Sequence, residues 1–262
     1  MQLGRIAQCW SYPVKSMQGR STDQLRIGTH GVAGDRAHAL VDVATDRVLS
    51  AKSVPALLEA FADEGRMVLP DGVEVRLDDE DRDAVLSGWL GRDVSVLSLG
   101  QSGGRSYEMT FDPPDDDAEY VEIPLPEHGF VDLAPLHVVA TATLDACGKA
   151  RPDLDWDVRR FRPNLLIDHD GGPFAEDAWL GSQLRIGEDC VLAVDQPTVR
   201  CAMPLRAQPA LGVLPELDRQ RELFAAMNDL HQAFPNHLGV YVGVVRPGTV
   251  AVGDAVVLEP SG

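Results

Sequence analysis

No apolar stretch of this chain runs far before a glycine or a proline interrupts it. Across 262 residues there are 24 glycines and 18 prolines, spread along the length. Both residue types end regular structure, glycine by permitting positive φ and proline by lacking an N–H. A chain cut into short apolar pieces cannot bury itself as a helical bundle. It reads instead as many short strands joined by turns, with few and short helices.

The carboxy-terminal end gives the plainest case. Gly239–Val245 alternates as a strand, Arg246-Pro247-Gly248 forms a turn, and Thr249–Leu258 resumes, broken by Gly253-Asp254. Met67–Leu69 and Val73–Leu77 flank Pro70-Asp71-Gly72, in which proline presets one turn dihedral and glycine supplies the positive one. Leu3–Cys9, Leu25–Ile27, Ala37–Asp42, Val94–Leu97, Pro135–Ala140 and Leu165–Ile167 read as further strands. Gln183–Asp195 reads as two strands around a Gly-Glu-Asp turn. Pro55–Ala62 fits either a helix or a strand. Helices are predicted over Asp79–Leu90, stopped by Gly91, and over Thr143–Ala150, capped by Thr143 with Thr141 in the preceding turn. The longest helical pattern covers Leu214–Ala233. Gly100–Pro126, with its run Asp112–Asp117, reads as a solvated linker between two halves. The fold class is therefore mainly β, a β-rich α+β protein of barrel type, divided at residues 1–115 and 116–262.

The net charge of −18 disfavours nucleic-acid binding and docking on an anionic membrane, both of which need a basic face. The four cysteines at 9, 147, 190 and 201 form no CxxC, which argues against a disulfide scaffold, a structural zinc or an iron–sulfur cluster. The amino terminus lacks a signal-peptide pattern and no apolar run reaches membrane-span length, so cytoplasmic residence is expected.

Against that acidic background three polar clusters stand out: Lys15-Ser16 with Asp35-Arg36; Arg159-Arg160 with Arg162 and Asn164; and Arg200-Cys201 with Arg206. Brought together, they form an oxyanion pocket of bidentate arginines and point-charge lysines. Kept apart, they are separate surface ion pairs. Cys201 sits on a loop leaving a sheet, bracketed by Pro197 and Pro204. Beside a fixed cation it is a candidate thiolate, the form that attacks and that binds metals. The other reading is an inert, half-buried cysteine. Cys9, Cys147 and Cys190 lie in apolar contexts and read as structural, and no histidine spacing suggests a metal site.

Taken in order, these pieces resemble one family. Tyr12–Ser16 and Gly34-Asp35-Arg36 are similar to the amino-terminal β-barrel that precedes MOSC domains. Phe161–Asn164, Phe174–Trp179, Arg200-Cys201 and Val245–Val256 resemble the MOSC domain itself. Among characterised relatives the resemblance is to the amidoxime-reducing components and their bacterial counterparts. It implies a MOSC-type barrel behind a smaller barrel, and the molybdenum cofactor (molybdenum–molybdopterin, independent of pyridoxal phosphate) as ligand. Cys201 then corresponds to the thiolate bound to molybdenum and to the catalytic centre. Lys15, Ser16, Arg36, Arg162, Asn164 and Arg200 surround the cofactor, joined by Thr143 and, as a weaker candidate, Thr141. The implied reaction is reduction of N-hydroxylated small molecules such as amidoximes, hydroxylamines and hydroxamates. Electrons come from a separate donor: ferredoxin, flavodoxin, or a cytochrome b5-like protein with its reductase. Val199 and Leu205 replace hydroxyl residues usual in the reductases, which leaves substrate scope open. The alternative is a sulfur-carrier or cofactor-delivery protein using Cys201 as persulfide or ligand, and a third option is a degenerate member that binds an anionic metabolite.

Overall fold

A computed structural model of the protein describes residues 1–101, 103–110, 119–126, 129–210, 212 and 214–261. The expected β architecture is present. Seven strands close into a barrel in the order Leu165–Asp168, Leu136–Ala140, His237–Arg246, Cys190–Val199, Ser182–Ile186, Ala255–Pro260 and Gln2–Ser11. Gln2–Ser11 pairs back to Leu165–Asp168 through Ile6↔Ile167 and Cys9↔Leu165, which removes both edges. The barrel interior is filled by inward-facing apolar residues, among them Ile6, Val138, Leu165, Ile167, Leu184, Leu192, Val240, Val242 and Val256. Each lies on a strand with alternating or continuous apolar sequence, so the period-2 pattern is what places them inside.

A second body of sheet flanks the barrel. Five strands run in the order Val94–Ser98, His38–Asp42, Arg47–Val48, Ser106–Met109 and Val121–Pro124. Three more, Phe61–Asp63, Arg66–Val68 and Glu74–Arg76, form a meander whose turn has Gly72 at φ 84°, as the Pro-Asp-Gly sequence requires. The expected linker over Gly100–Pro126 is thus partly sheet. Tyr107 and Met109 are buried against Ala39, Val41 and Leu97, a two-residue alternation too short to stand out between glycines and acidic residues. The acidic run Asp112–Asp117 lies outside the described residues. Phe130–Leu133 is not a strand, and Phe130 packs into this same cluster.

The helices also differ from expectation. The helical pattern over Leu214–Ala233 contracts to Glu222–Leu230, because Leu217 is tied to Gln208 by a pair of backbone hydrogen bonds that keep its segment extended. Among the described residues the longest helix is Thr141–Ala150. Thr141 opens that helix rather than preceding it, and Thr143 lies in its first turn rather than capping it. Asp79–Leu90 shortens to Arg82–Leu90, with Gly91 closing it at φ 64° as expected. Pro197 does not break its strand: it sits within Cys190–Val199 opposite Val240, where the ladder register shifts and no N–H is needed. No helix among the described residues is long and apolar enough to cross a membrane.

Cys9, Cys147 and Cys190 are buried. Burial, aided by Asp254 and Glu176 for the first two, pushes their thiols from 9.0 up to about 12, 12 and 11. A thiol that stays protonated in the folded state stabilises it below pH 9, and that stabilisation drains away as pH rises through 11 to 12. Thermal melts of wild type should therefore fall between pH 9 and 11. Replacing Cys190 with alanine should flatten that alkaline slope although it lowers the melting temperature at pH 7. An unchanged slope rules the effect out.

Candidate functional site

The segments that follow Gln2–Ser11, precede Leu165–Asp168 and follow Cys190–Val199 carry the polar clusters, and the backbone knits them together. Trp10 donates its N–H to the Asn164 carbonyl, Arg36 to the Tyr12 carbonyl and Arg200 to the Asn236 carbonyl. The Asn164 side chain returns a hydrogen bond to the Trp10 carbonyl, and its Oδ1 accepts from His137 N–H at 3.2 Å and Arg36 Nη1 at 3.3 Å. This buried amide is the pin between the strands Gln2–Ser11, Leu136–Ala140 and Leu165–Asp168.

Tyr12 orders the arginines. Two guanidinium groups lie over its ring, Arg162 at 4.2 Å and Arg36 at 4.6 Å from the centroid, a doubled cation–π arrangement. Its hydroxyl donates to the Pro163 carbonyl at 3.1 Å, and its N–H donates to Asp35 Oδ1 at 2.7 Å. The same carboxylate forms an ion pair with Arg36 through Oδ2. Ser16, Arg36 and Arg162 adopt left-handed backbone conformations at φ 69°, 43° and 53°. For residues with a Cβ these angles are strained, and such strain gathers where side chains must be aimed.

The outcome is a single cleft with about 650 Å³ of empty space, partly open to solvent. Lys15, Ser16, Arg36, Arg162, Asn164, Arg200 and Cys201 all line it, although they span 187 positions of the sequence (from 15 to 201). Thr141 and Thr143 do not. The Thr143 hydroxyl donates to buried Glu176 and accepts from Phe174 N–H, while the Thr141 hydroxyl faces Asp168. Of the second cluster, Arg159 and Arg160 are likewise spent elsewhere. Arg159 pairs with Asp157, and Arg160 donates to the carbonyls of Pro204, Arg206 and Asp218, bracing the turn that follows Cys201.

Residues that the sequence reading passed over complete the cleft. Asp132 accepts from Lys15 at 2.5 Å and from buried Lys52 at 2.7 Å, and both ammonium groups sit over the Tyr107 ring. Burial pulls the Lys15 ammonium down to about 8, against the opposing pull of Asp132. Burial opposes the Asp132 carboxylate, yet the two lysines hold it far below the usual carboxylate range. His137 and Tyr241 line the wall. Burial first, then the Arg200 charge, keeps the His137 imidazole well below its ordinary value and hence neutral. Tyr12 stood inside a quoted motif, but nothing in the sequence marks Lys52 or Tyr241.

The electrostatic balance is uneven. Asp35 and Asp132 answer Arg36, Lys15 and Lys52. Arg162 and Arg200 are 7% and 8% exposed and have no carboxylate partner among the described residues. Desolvation accordingly lowers both, Arg162 to about 10. The Arg200 Nε is buried without a hydrogen-bond acceptor. Buried guanidinium groups in excess, with an orphaned donor, mark a place built for an anion. Cys201, partly exposed on the same wall, is the one cysteine of the four that lines it. Among the described residues no three His, Cys, Asp or Glu side chains could together hold a metal ion, so a metal here needs the rest of its ligands from a bound molecule.

Fold and cleft together define a closed β-barrel with a cation-lined cleft beside one cysteine. A family model described as the MOSC domain matches residues 126–257, and one described as the MOSC N-terminal beta barrel domain matches residues 3–88. The chain belongs to the MOSC family, with the amino-terminal barrel domain preceding the MOSC domain, in the order the sequence motifs implied. No curated protein matches it significantly. Among solved structures it is similar to the YuaD protein from Bacillus subtilis, at 11% identity and a TM-score of 0.48, covering 100% of this chain and 98% of that one. YiiM from Geobacillus stearothermophilus (15% identity, TM-score 0.35) and YiiM from Escherichia coli (16%, 0.32) each match over 49% of this chain and 56% of theirs.

Proposed function

We propose that this protein binds the molybdenum cofactor with Cys201 as its one protein ligand to the metal, and reduces small N-hydroxylated compounds. The observation that carries this reading is the pair of buried, uncompensated guanidinium groups, Arg162 and Arg200, facing the same cleft as Cys201. The donor set fits the group: a soft thiolate for a redox metal, and cationic, backbone-fixed side chains for a phosphorylated pterin. Arg162, Arg36, Arg200 and Lys15 neutralise the ligand's charge, and Ser16 and Asn164 stand among them as polar wall. Tyr12 keeps the two arginines at a set spacing, so little side-chain order remains to be lost on binding. Phe161, Leu136 and Met203 supply the apolar part of the lining.

The cofactor, when bound, supplies two-electron reduction. In the overall reaction the N–O bond breaks, two electrons enter from a donor protein, and the oxygen leaves as water with two protons. That donor is a ferredoxin, a flavodoxin or a cytochrome b5-like protein with its reductase. In the competing reading Cys201 carries a persulfide or hands the cofactor on.

Protein made in a host that synthesises the cofactor should contain near-stoichiometric molybdenum and pterin. After chemical reduction it should convert benzamidoxime to benzamidine. Wild-type protein that carries no molybdenum overturns the proposal.

A further inference from the structure

We infer that Asn236 is a positioning residue for Cys201, and that the motif at 174–179 braces it; the catalytic consequence rests on the function proposed above. The ladder between Cys190–Val199 and His237–Arg246 ends at the pair Val199↔His237, one residue short of Arg200. Asn236 carries the pairing one step further. Its carbonyl accepts from Arg200 N–H at 2.8 Å, and its Nδ2 donates to the Arg200 carbonyl at 2.7 Å. That second carbonyl belongs to the planar peptide joining Arg200 to Cys201, so the direction in which Cys201 leaves the sheet is set by the Asn236 amide. Asn236 does this at φ 60°, a left-handed conformation that asparagine adopts more readily than most residues with a Cβ.

The turn that presents Asn236 is itself held. His237 N–H donates to the Phe234 carbonyl at 3.1 Å, which closes the turn 234–237. The His237 carbonyl faces His231 Nδ1 at 2.9 Å, and His231 Nε2 faces Asp177 Oδ2 at 2.7 Å. The buried His231 ring stacks on Phe174 with 4.0 Å between centroids. Phe174 and Asp177 belong to the motif at 174–179, and neither lines the cleft. A chain of contacts thus runs from that motif through His231 and the turn to the peptide that bears Cys201. The cations of the cleft need such a fixed partner. Lys15, Arg36 and Arg162 come from other segments of the chain, so a ligand seated on them cannot follow Cys201 if its segment drifts. Groups that orient a ligand residue from behind typically matter about 10- to 100-fold to affinity or activity. If Asn236 only strengthened the end of a sheet, its loss would lower stability and nothing else.

Two variants test this. Asn236→Gly keeps the left-handed backbone and the carbonyl and removes only the amide. Asn236→Asp keeps the shape and puts an acceptor where the donor faced a carbonyl. Val256→Ala, which empties a buried position opposite Gly4 in the barrel, is the control for lost stability. In metal-free protein, deuterium exchange at the Arg200 amide should quicken about tenfold in both Asn236 variants relative to Val256→Ala. In molybdenum-loaded protein, both should lower kcat per bound molybdenum about tenfold with KM for benzamidoxime within about twofold. Both should also alter the electron paramagnetic resonance spectrum of the partly reduced metal. Val256→Ala should lower the melting temperature but leave spectrum and kcat as in wild type. Asn236 variants with wild-type exchange, or with wild-type kcat and spectrum, overturn this inference while leaving the proposed function standing. Wild type without molybdenum removes that function, and the exchange rates alone then decide whether Asn236 holds the Cys201 segment.

Discussion

Replacing Cys201 with alanine is expected to reduce bound molybdenum to background while the protein still folds. Among the described residues no other cysteine reaches the cleft, since Cys9, Cys147 and Cys190 are enclosed in apolar cores. No alternative cluster of His, Cys, Asp and Glu stands nearby to take the metal. Cys201 is itself partly exposed and packs only at the margin of the cluster around Met17 and Met203, so losing its sulfur should change stability by about 1 kcal/mol or less. The guanidinium groups remain, so pterin should fall less steeply than metal. Cys201→Ser should resemble alanine, a neutral hydroxyl being a poor ligand for a soft redox centre. Cys147→Ala is the useful contrast: it empties a buried position, lowers the melting temperature and keeps its molybdenum. The measurement is metal by mass spectrometry beside total pterin by fluorescence, on wild type and the three variants. Alanine protein that retains molybdenum would refute the thiolate assignment. Wild type without molybdenum but with one extra sulfur on Cys201 in intact-protein mass spectra would move the assignment to sulfur carriage.

The parts of this protein legible in its sequence are those encoded within a few residues. Pro70-Asp71-Gly72 specifies its turn because each dihedral is set by the residue that bears it. The alternation through Gly239–Val245 specifies a strand because only two faces exist. The cations of the cleft were visible for a related reason, being anomalous in a chain of net charge −18. What stayed hidden depends on partners remote in the chain. Thr143 has the hydroxyl expected beside a ligand, but Glu176, 33 positions onward, claims it. Arg160 looks no different from Arg162 in sequence. The Arg160 guanidinium is consumed by three carbonyls and Asp155, whereas Arg162 gives one N–H to the Met17 carbonyl and still lines the cleft. That distinction follows from Arg162 turning into the left-handed region as the short helix Val158–Phe161 ends. The helical pattern at Leu214–Ala233 failed likewise, through a backbone pairing to Gln208 that no local propensity announces.

The largest loss of stability is expected from Asp132→Asn. Asp132 is the shared anion of two buried lysines, Lys52 being 1% and Lys15 5% exposed. Two ammonium groups over one tyrosine ring and close to Arg36 repel each other unless a carboxylate stands between them. Removing one partner of a buried charge pair leaves the other uncompensated, at about 3–5 kcal/mol. For a protein of this size that corresponds to a fall of roughly 10 °C in melting temperature. The pH dependence identifies the cause. Lys15 already has its value lowered from 10.5 to about 8, by burial against the pull of Asp132. Without that carboxylate it falls further in the folded state. The unfolded chain then binds more protons than the folded one over a wider window below 10.5, and stability rises with pH across it. The deficit of the variant against wild type should therefore be smaller at pH 9 than at pH 7. At the acid end the deficit shrinks for a second reason. The depressed Asp132 carboxylate stabilises wild type above its unfolded value of 3.8 and loses that contribution as pH falls through the folded one, a limb that asparagine does not have. Melts of both proteins at pH 4, 7 and 9 decide the matter. A deficit at pH 7 under about 1 kcal/mol, within the range of an exposed ion pair, or one that fails to shrink at pH 9, would show that the lysines do not depend on Asp132.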